Sequence, residues 1–479
     1  MRIIITSLIV LTVACSTKQV APPQPYGPTP SQSQLDWHRM EMNAFVHFTL
    51  NTFTGKEWGY GDESPSLFNP SSYDVNQWVD AFTNAGFKGV ILTSKHHDGF
   101  CLWPTAYSEH SVKNSPFKNG SGDVVKDLAE ACKRNGLKFG IYLSPWDRNR
   151  ADYGTPAYID YYRNQLKELF TQYGPVFEMW FDGANGGDGY YGGANERRRI
   201  DGATYYDWPT TLNLVRELEP NVIFFSDAGP GVRWVGNERG VAGETNWCTI
   251  SPDTLYAGQP DIQELLNTGH ENGTAWIPAE VDVSIRPGWF YHAHEDSLVK
   301  SAEKLFDIYL TSVGRGSTLL LNIPPDQRGL IHENDLKSLR GFKEILEKEF
   351  ARNLAKNAKA TSEAYRGSDD AYDASKTTDE DPSTYWTTDD GITTGSLEID
   401  LGKTTSVKYV QLQEYIELGQ RIKAFSIEAF VDDRWTSIAK GTTIGYKRIL
   451  KLDPIVTNKI RVVITDAKAC PLLAAINIY

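Results

Sequence analysis

The sequence is short of the features that mark several large protein classes. Only 5 of its 479 residues are cysteine, and Cys101, Cys132, Cys248 and Cys470 show neither Cys-x-x-Cys nor paired-histidine spacing. A disulfide framework and a zinc site are therefore not indicated, and these four read as buried thiols. Basic charge is also scarce. A formal net charge of -13 lacks the electrostatic footprint of a nucleic-acid binder, so the expected partners are neutral molecules. No Gly-x-Gly-x-x-Gly or Walker loop follows the first strand of the pattern below, which weakens a dinucleotide- or phosphate-binding open sheet.

What is present points to large cores. Hydrophobic residues make up 40% of the chain and aromatics 12%, with 13 Trp, enough for two domains. Most of these rings must serve packing, although aromatic faces also suit carbohydrate clefts. Arg2 followed by the short apolar run Ile3 to Ala14 reads as an export signal over 1–15, not a spanning helix. Ala14-Cys15 resembles a bacterial lipoprotein cleavage box, although Thr12 stands where leucine is usual. The expectation is an exported bacterial protein, lipidated at Cys15 and facing the periplasm or the cell surface, with no other membrane contact. Residues 16–33, rich in Pro, Gln and Ser, are expected to form a flexible tether.

From Asn43 the chain alternates apolar strands and amphipathic helices. Strands are expected at 43–49, 89–93, 138–143, 177–181, 222–226, 275–280 and 317–322. Asp74, with Gln77 at the box position, starts a helix that Gly86 ends, Asp123 starts one ended by Asn135-Gly136, and Thr155-Pro156 opens a third. This repetition predicts a closed (β/α)8-like TIM barrel over 34–352. Over 353–479 strands follow one another without helices, which predicts an all-β jelly-roll sandwich. Its Tyr372-Asp373-Ala374-Ser375, Tyr385-Trp386 and Leu397 to Gly402 resemble the discoidin-like carbohydrate-binding fold.

In such barrels, side chains at the carboxyl ends of strands project into the active-site mouth. Asp182, at the end of the Phe177 to Phe181 strand and before a glycine-rich run, is thereby placed for chemistry. His47, Glu57, Trp58, His96, His97 and Tyr142 fall on the same predicted face. The adjacent histidines have no spacing that supplies a metal's ligand set, so hydrogen bonding to sugar hydroxyls suits them better, and no metal or cofactor is expected. A retaining glycosidase needs a second carboxyl group beside the nucleophile. Asp98, Asp227, Glu238, Glu244 and Glu280 are candidates, and spacing does not choose among them.

Phe45 to Phe48, Asn51 to Phe53, Glu57-Trp58-Gly59, Lys95 to Phe100, Trp180 to Ala184, Gly229-Pro230, Arg233 to Glu238, Ile285 to His292 and Leu321 to Gly329, in this order, resemble the α-L-fucosidases of glycoside hydrolase family 29. The resemblance implies that Asp182 is the nucleophile of a retaining, exo-acting hydrolase. It implies that Glu238, in the Gly236-Asn237-Glu238 element after the fifth strand, is the acid/base. It also implies that His47, Glu57, Trp58, His96, His97, Tyr142 and Trp289 line the fucose pocket, with Trp58 and Trp289 against the ring and its C6 methyl. Fucosylated oligosaccharides and glycoconjugates are then the partners. The Gly229-Pro230 to Glu238 element is similar to the branch specific for α1,3- or α1,4-linked fucose of Lewis-type glycans. The loop 186–202, with Tyr190-Tyr191 and Glu196 to Arg199, departs from that branch and is placed to reshape the aglycone site.

Overall fold

The computed structural model describes residues 20–479. The expected signal and Cys15 lie outside the described residues. Eight parallel strands close into a barrel, each beside its neighbours in chain order: β1 (Met42–Val46), β2 (Gly89–Lys95), β3 (Lys138–Leu143), β4 (Glu178–Trp180), β5 (Ile223–Ser226), β6 (Val232–Trp234), β7 (Ala279–Ser284) and β8 (Thr318–Asn322), with β8 returning to β1. The closing register pairs Met42 with Leu319 and Asn43 with Leu320.

Alternation along each strand divides the side chains between two cores. Phe45, Ile91, Tyr142, Trp180, Phe225, Val232 and Leu320 fill the barrel interior. Ala44, Val46, Val90, Leu92, Leu319 and Leu321 point outward, in one cluster with Trp78 and Phe82 of helix Val75–Ala85 and Leu128 of helix Val124–Asn135. Both helices start and stop as their caps predict: Asp74 and Asp123 accept backbone N–H groups, and Gly86 and Gly136 close the helices in the left-handed conformation. Gln77 does not complete a capping box. Its amide instead exchanges two hydrogen bonds of 2.9 Å with the backbone of Ile331, fixing the chain after β8.

Two strand expectations need correction. The seven expected strands omit β6, a three-residue strand that follows β5 after the turn 227–231 with no helix between. Residues 275–280 are not one strand. Ala275–Trp276 pairs antiparallel with Thr249–Ile250 outside the barrel, and after Pro278, which has no N–H to give a ladder, the barrel strand begins at Ala279.

The carboxyl-terminal part is an antiparallel all-β domain. Its long strands Gly395–Glu414 and Arg448–Ala467 pair along most of their length, with register shifts between Asp400 and Thr405 and between Val407 and Tyr409. Such irregularities bend a ribbon and let it close around a core, here Leu397, Ile399, Val410, Ile427, Val462 and Ile476. The domain is fastened to the barrel. Buried Gln420 accepts from the Cys248 N–H at 2.7 Å and donates to the Asn246 carbonyl at 3.0 Å. Tyr409 and Ile449 join the barrel's outer core. The four cysteines among the described residues are buried free thiols.

The segment expected as a free tether up to residue 33 is, from Val20 onward, laid along the β domain. Arg366 donates to the Ala21 carbonyl (2.7 Å), Arg421 to the Gln24 carbonyl (2.8 Å) and the Tyr26 N–H to the Leu418 carbonyl (3.0 Å). A Pro- and Gln-rich strap cannot build a core, but its backbone still offers acceptors to arginines. It leads into helix Gln32–Met40, capped by Ser31 and Gln34. Trp37 of that helix reaches into the barrel and donates to Glu178 at 3.0 Å.

Candidate active site

A cavity of about 350 Å³ opens at the carboxyl ends of the strands, lined among others by His47, Trp58, His96, His97, Tyr142, Asp182, Glu238 and Trp289. The fold thus brings together Tyr142 of β3 and side chains from the segments that follow β1, β2, β4, β6 and β7. Glu57 is not among the lining residues. Its carboxylate accepts from the Trp289 N–H (2.7 Å) and pairs with His292 Nε2 (2.6 Å), so that it positions the Trp289 loop.

Asp182 follows β4 and is held at both oxygens. Oδ1 accepts from the Ala184 N–H at 2.7 Å, and Oδ2 accepts from Tyr142 Oη at 2.9 Å with His97 Nε2 at 3.7 Å. The turn-forming role open to any strand-end aspartate is therefore real here, but it occupies only one oxygen. Next to it, Gly183 must be glycine: a Cβ would lie 2.2 Å from Asp227 Oδ2 and 2.6 Å from the Gly258 nitrogen.

Burial keeps the three histidines neutral. It pushes His47 down to about 3 and His97 to about 4, the latter against the pull of Asp182, and lowers His96 well below its ordinary value. Ser144 gives its hydroxyl proton to the Trp146 carbonyl (2.6 Å), so His97 Nδ1 must donate to Ser144 Oγ (2.7 Å). His97 Nε2 is then an acceptor facing Asp182, and a sugar hydroxyl can supply a proton there. His47 Nδ1 is bonded to Asn322 Oδ1 (2.8 Å), whose amide nitrogen donates to the Trp289 carbonyl (2.8 Å). Asn322 thus ties two expected sugar contacts together, a part that the motif around it did not reveal. Beneath the loop, fully buried Lys95 is anchored on Asp147 (3.1 Å) and Gln165 (3.0 Å).

Glu238 sits after β6, not after the fifth strand, and Arg233, Trp234, Gly236 and Asn237 before it have positioning tasks. Arg233, buried, donates to the carbonyls of Leu266 (2.8 Å), Trp247 (3.0 Å) and Ile277. Trp234 donates to Asp282 (2.9 Å), and Gly236 has a positive φ with no room for a Cβ against the Gln263 carbonyl. Asn237 bridges to the Val241 carbonyl at 2.9 Å. The Glu238 carboxylate accepts from Trp289 Nε1 at 3.3 Å. Although open to solvent on one side, Glu238 is raised above the ordinary glutamate value. Partial desolvation is the main cause, the Trp289 hydrogen bond opposes it, and the charges of Asp182 and Glu57 add to it.

The other carboxyl candidates are committed elsewhere. Asp98 is fully buried, accepting from Thr49 and the Phe100 N–H, and burial raises it to about 7. Glu280 lies inside the barrel beside Glu178. Burial of the two acids together raises both, so that the pair retains a proton while Trp180 and Trp37 donate to it. Glu244 is exposed and paired with Arg315. Asp227 lines the cavity but accepts from the Gly258 N–H at 2.8 Å, and burial raises it to about 6. Asp282, absent from the candidates, also lines the cavity and is raised well above its ordinary value, chiefly by burial and then by the Glu238 charge. It shares a strand face with Glu280, two residues on, and correct β7 bounds would have disclosed it. Among the described residues no three His, Cys, Asp or Glu side chains are grouped to hold a metal ion.

The sequence model of the family described as Alpha-L-fucosidase matches residues 25–349, and that described as F5/8 type C domain matches residues 357–475. Alpha-L-fucosidase 1 of Arabidopsis thaliana is 41% identical over 462 residues, covering 95% of this chain and 88% of that protein. Among solved structures, a glycoside hydrolase 29 family member from an unknown rumen bacterium superposes with a TM-score of 0.86 at 45% identity, over 95% of this chain and 78% of that one. A Ruminococcus gnavus GH29 fucosidase in complex with fucose gives 0.87 at 32% identity over 97% of each chain.

Proposed function

Since the chain belongs to the α-L-fucosidases of glycoside hydrolase family 29, we propose that it removes terminal α1,3/1,4-linked fucose from branched, Lewis-type glycans with retention of configuration. One observation carries the mechanism: Asp182 and Glu238 line the same cavity. Asp182, its carboxylate oriented by Tyr142 and the Ala184 N–H, attacks the anomeric carbon of fucose. Glu238 gives its proton to the glycosidic oxygen as the C–O bond breaks and the remaining glycan departs. In the fucosyl-enzyme the Asp182 oxygen is bonded to C1. Glu238, now a carboxylate, takes a proton from water as that water displaces Asp182, which restores both groups.

The three neutral histidines and Tyr142 offer polar atoms to the ring hydroxyls. Trp289 and the exposed Trp58 at the mouth offer apolar faces, which suit the methyl at C6 better than the hydroxyl of galactose. The linkage reading rests on the element from Gly229 to Glu238, in which Arg233, Trp234, Asn237 and Glu238 are held as described.

Purified protein should release fucose from a Lewis-type trisaccharide at least about 100-fold faster than from an α1,2-fucosylated one. Comparable kcat/KM on both would replace the linkage assignment with a broad-specificity fucosidase.

A further inference from the structure

A second groove, of about 440 Å³, adjoins the catalytic cavity and shares Asp182, Gly183, Asn185 and Gly258 with it. One wall is the loop 186–202, and the other is formed by Tyr256 and Ala257. We propose that this groove is a subsite for an anionic group, a carboxylate or a sulfate ester, carried by the glycan that fucose leaves. The proposal rests on Asp182 marking the anomeric carbon, so that a groove contiguous with it borders the path of the leaving group.

The charges that would bind such a group come from three consecutive arginines, all lining the groove. Arg198 is spent on structure. It pairs with Glu196 (2.8 Å), donates to the Ala151 and Tyr153 carbonyls (each 2.7 Å) and lies over the Tyr191 ring. Arg197 donates Nε and Nη2 to the Gly186 carbonyl, at 3.2 and 2.7 Å, and has no carboxylate partner among the described residues. Arg199 is exposed, and among the described residues it makes neither a hydrogen bond nor an ion pair. Two uncompensated guanidinium groups thus face a groove whose only lining carboxylate is Asp182, in a chain of net charge -13.

The wall that carries them is built, not loose. Asp188 and Gly189 pair antiparallel with Arg197 and Glu196. The ribbon is bolted to the segment after β3 by the Arg148–Asp188 pair (2.6 Å), the Tyr191 N–H to the Arg148 carbonyl (2.8 Å) and Trp146 Nε1 to Tyr191 Oη (3.0 Å). The Gly186 carbonyl holds Arg197 by Nε and Nη2, while Arg199, two residues beyond the paired ribbon, keeps its guanidinium fork free for a planar carboxylate or a sulfate. The ribbon's contacts, with those of Arg198 to the Ala151 and Tyr153 carbonyls, fix the backbone up to the residue before Arg199. Tyr206 and Trp208 complete the lining with rings against which a sugar can pack.

The test compares kcat/KM for a neutral Lewis-type oligosaccharide, its sialylated counterpart and its sulfated counterpart, in wild type and Arg199→Ala. The anionic-to-neutral ratio should fall about 5- to 20-fold in the variant, as for loss of a charge-assisted hydrogen bond. The same ratio should shrink in wild type as salt is raised. A fall with the sialylated substrate alone assigns a carboxylate, a fall with the sulfated one alone assigns a sulfate, and a fall with both supports a general anion subsite. An unchanged ratio, or equal losses on neutral and anionic substrates, overturns the proposal. Hydrolysis of an aryl fucoside monitors the catalytic pair separately. If Lewis-type glycans are not cleaved, the linkage reading fails, and the ratio is read instead from their inhibition constants against the aryl fucoside.

Discussion

Asp182→Gly should lower kcat by on the order of 10⁴-fold or more if, as proposed, its carboxylate forms the covalent intermediate. The backbone should tolerate the change, since Asp182 is partly exposed and its structural bonds are to one neighbouring amide and one tyrosine hydroxyl. Unaltered circular dichroism would exclude misfolding. Added azide should then restore turnover of an aryl fucoside by occupying the vacated side of the anomeric carbon, giving β-fucosyl azide, the inverted product. A variant that keeps more than about a tenth of wild-type kcat would remove Asp182 from the nucleophile's role.

Glu238→Ala should lower kcat/KM on glycans roughly 10²- to 10⁴-fold, the usual contribution of a general acid. An aryl fucoside with a good leaving group needs little protonation, so its first step should be affected far less. Azide should rescue this variant as α-fucosyl azide, because it then intercepts the fucosyl-enzyme from the side that water normally uses. The pH profile provides a second signature. Glu238 must carry a proton to act as the acid, and its value is raised, so activity should persist above the ordinary glutamate range and fall as pH rises through the elevated value. That alkaline fall should vanish in Glu238→Ala. In Asp182→Asn, where one of the charges that raise it is gone, Glu238 should titrate lower, a shift that NMR of the labelled carboxyl can follow.

Much of this arrangement is legible in the sequence because it is local. Strand ends, caps and Gly stops are written in adjacent residues, and with them the placement of Asp182, His47, His96, His97 and Tyr142 around one mouth. What is not local is harder to read. β6 is hidden because it is three residues long and lacks the helix that would announce it, so Glu238 is counted one strand too early. Glu57 sits in a motif with the cavity-lining Trp58, but its partners Trp289 and His292 are far along the chain, and only the folded loop shows that it holds backbone. Asp227 and Asp282 owe their raised values to burial beside other acids, which no spacing reports. The strap from Val20 looks like tether by composition, and its order comes from Arg366 and Arg421 of the β domain.

The measurement closest to the central claim is the anomer of fucose first released from an aryl α-L-fucoside, followed by proton NMR before mutarotation sets in. If Asp182 and Glu238 act in sequence through a fucosyl-enzyme, α-L-fucose should appear first and the β anomer only as the solution equilibrates. Initial release of β-L-fucose would mean a single displacement by water, contradicting the role of Asp182 as nucleophile.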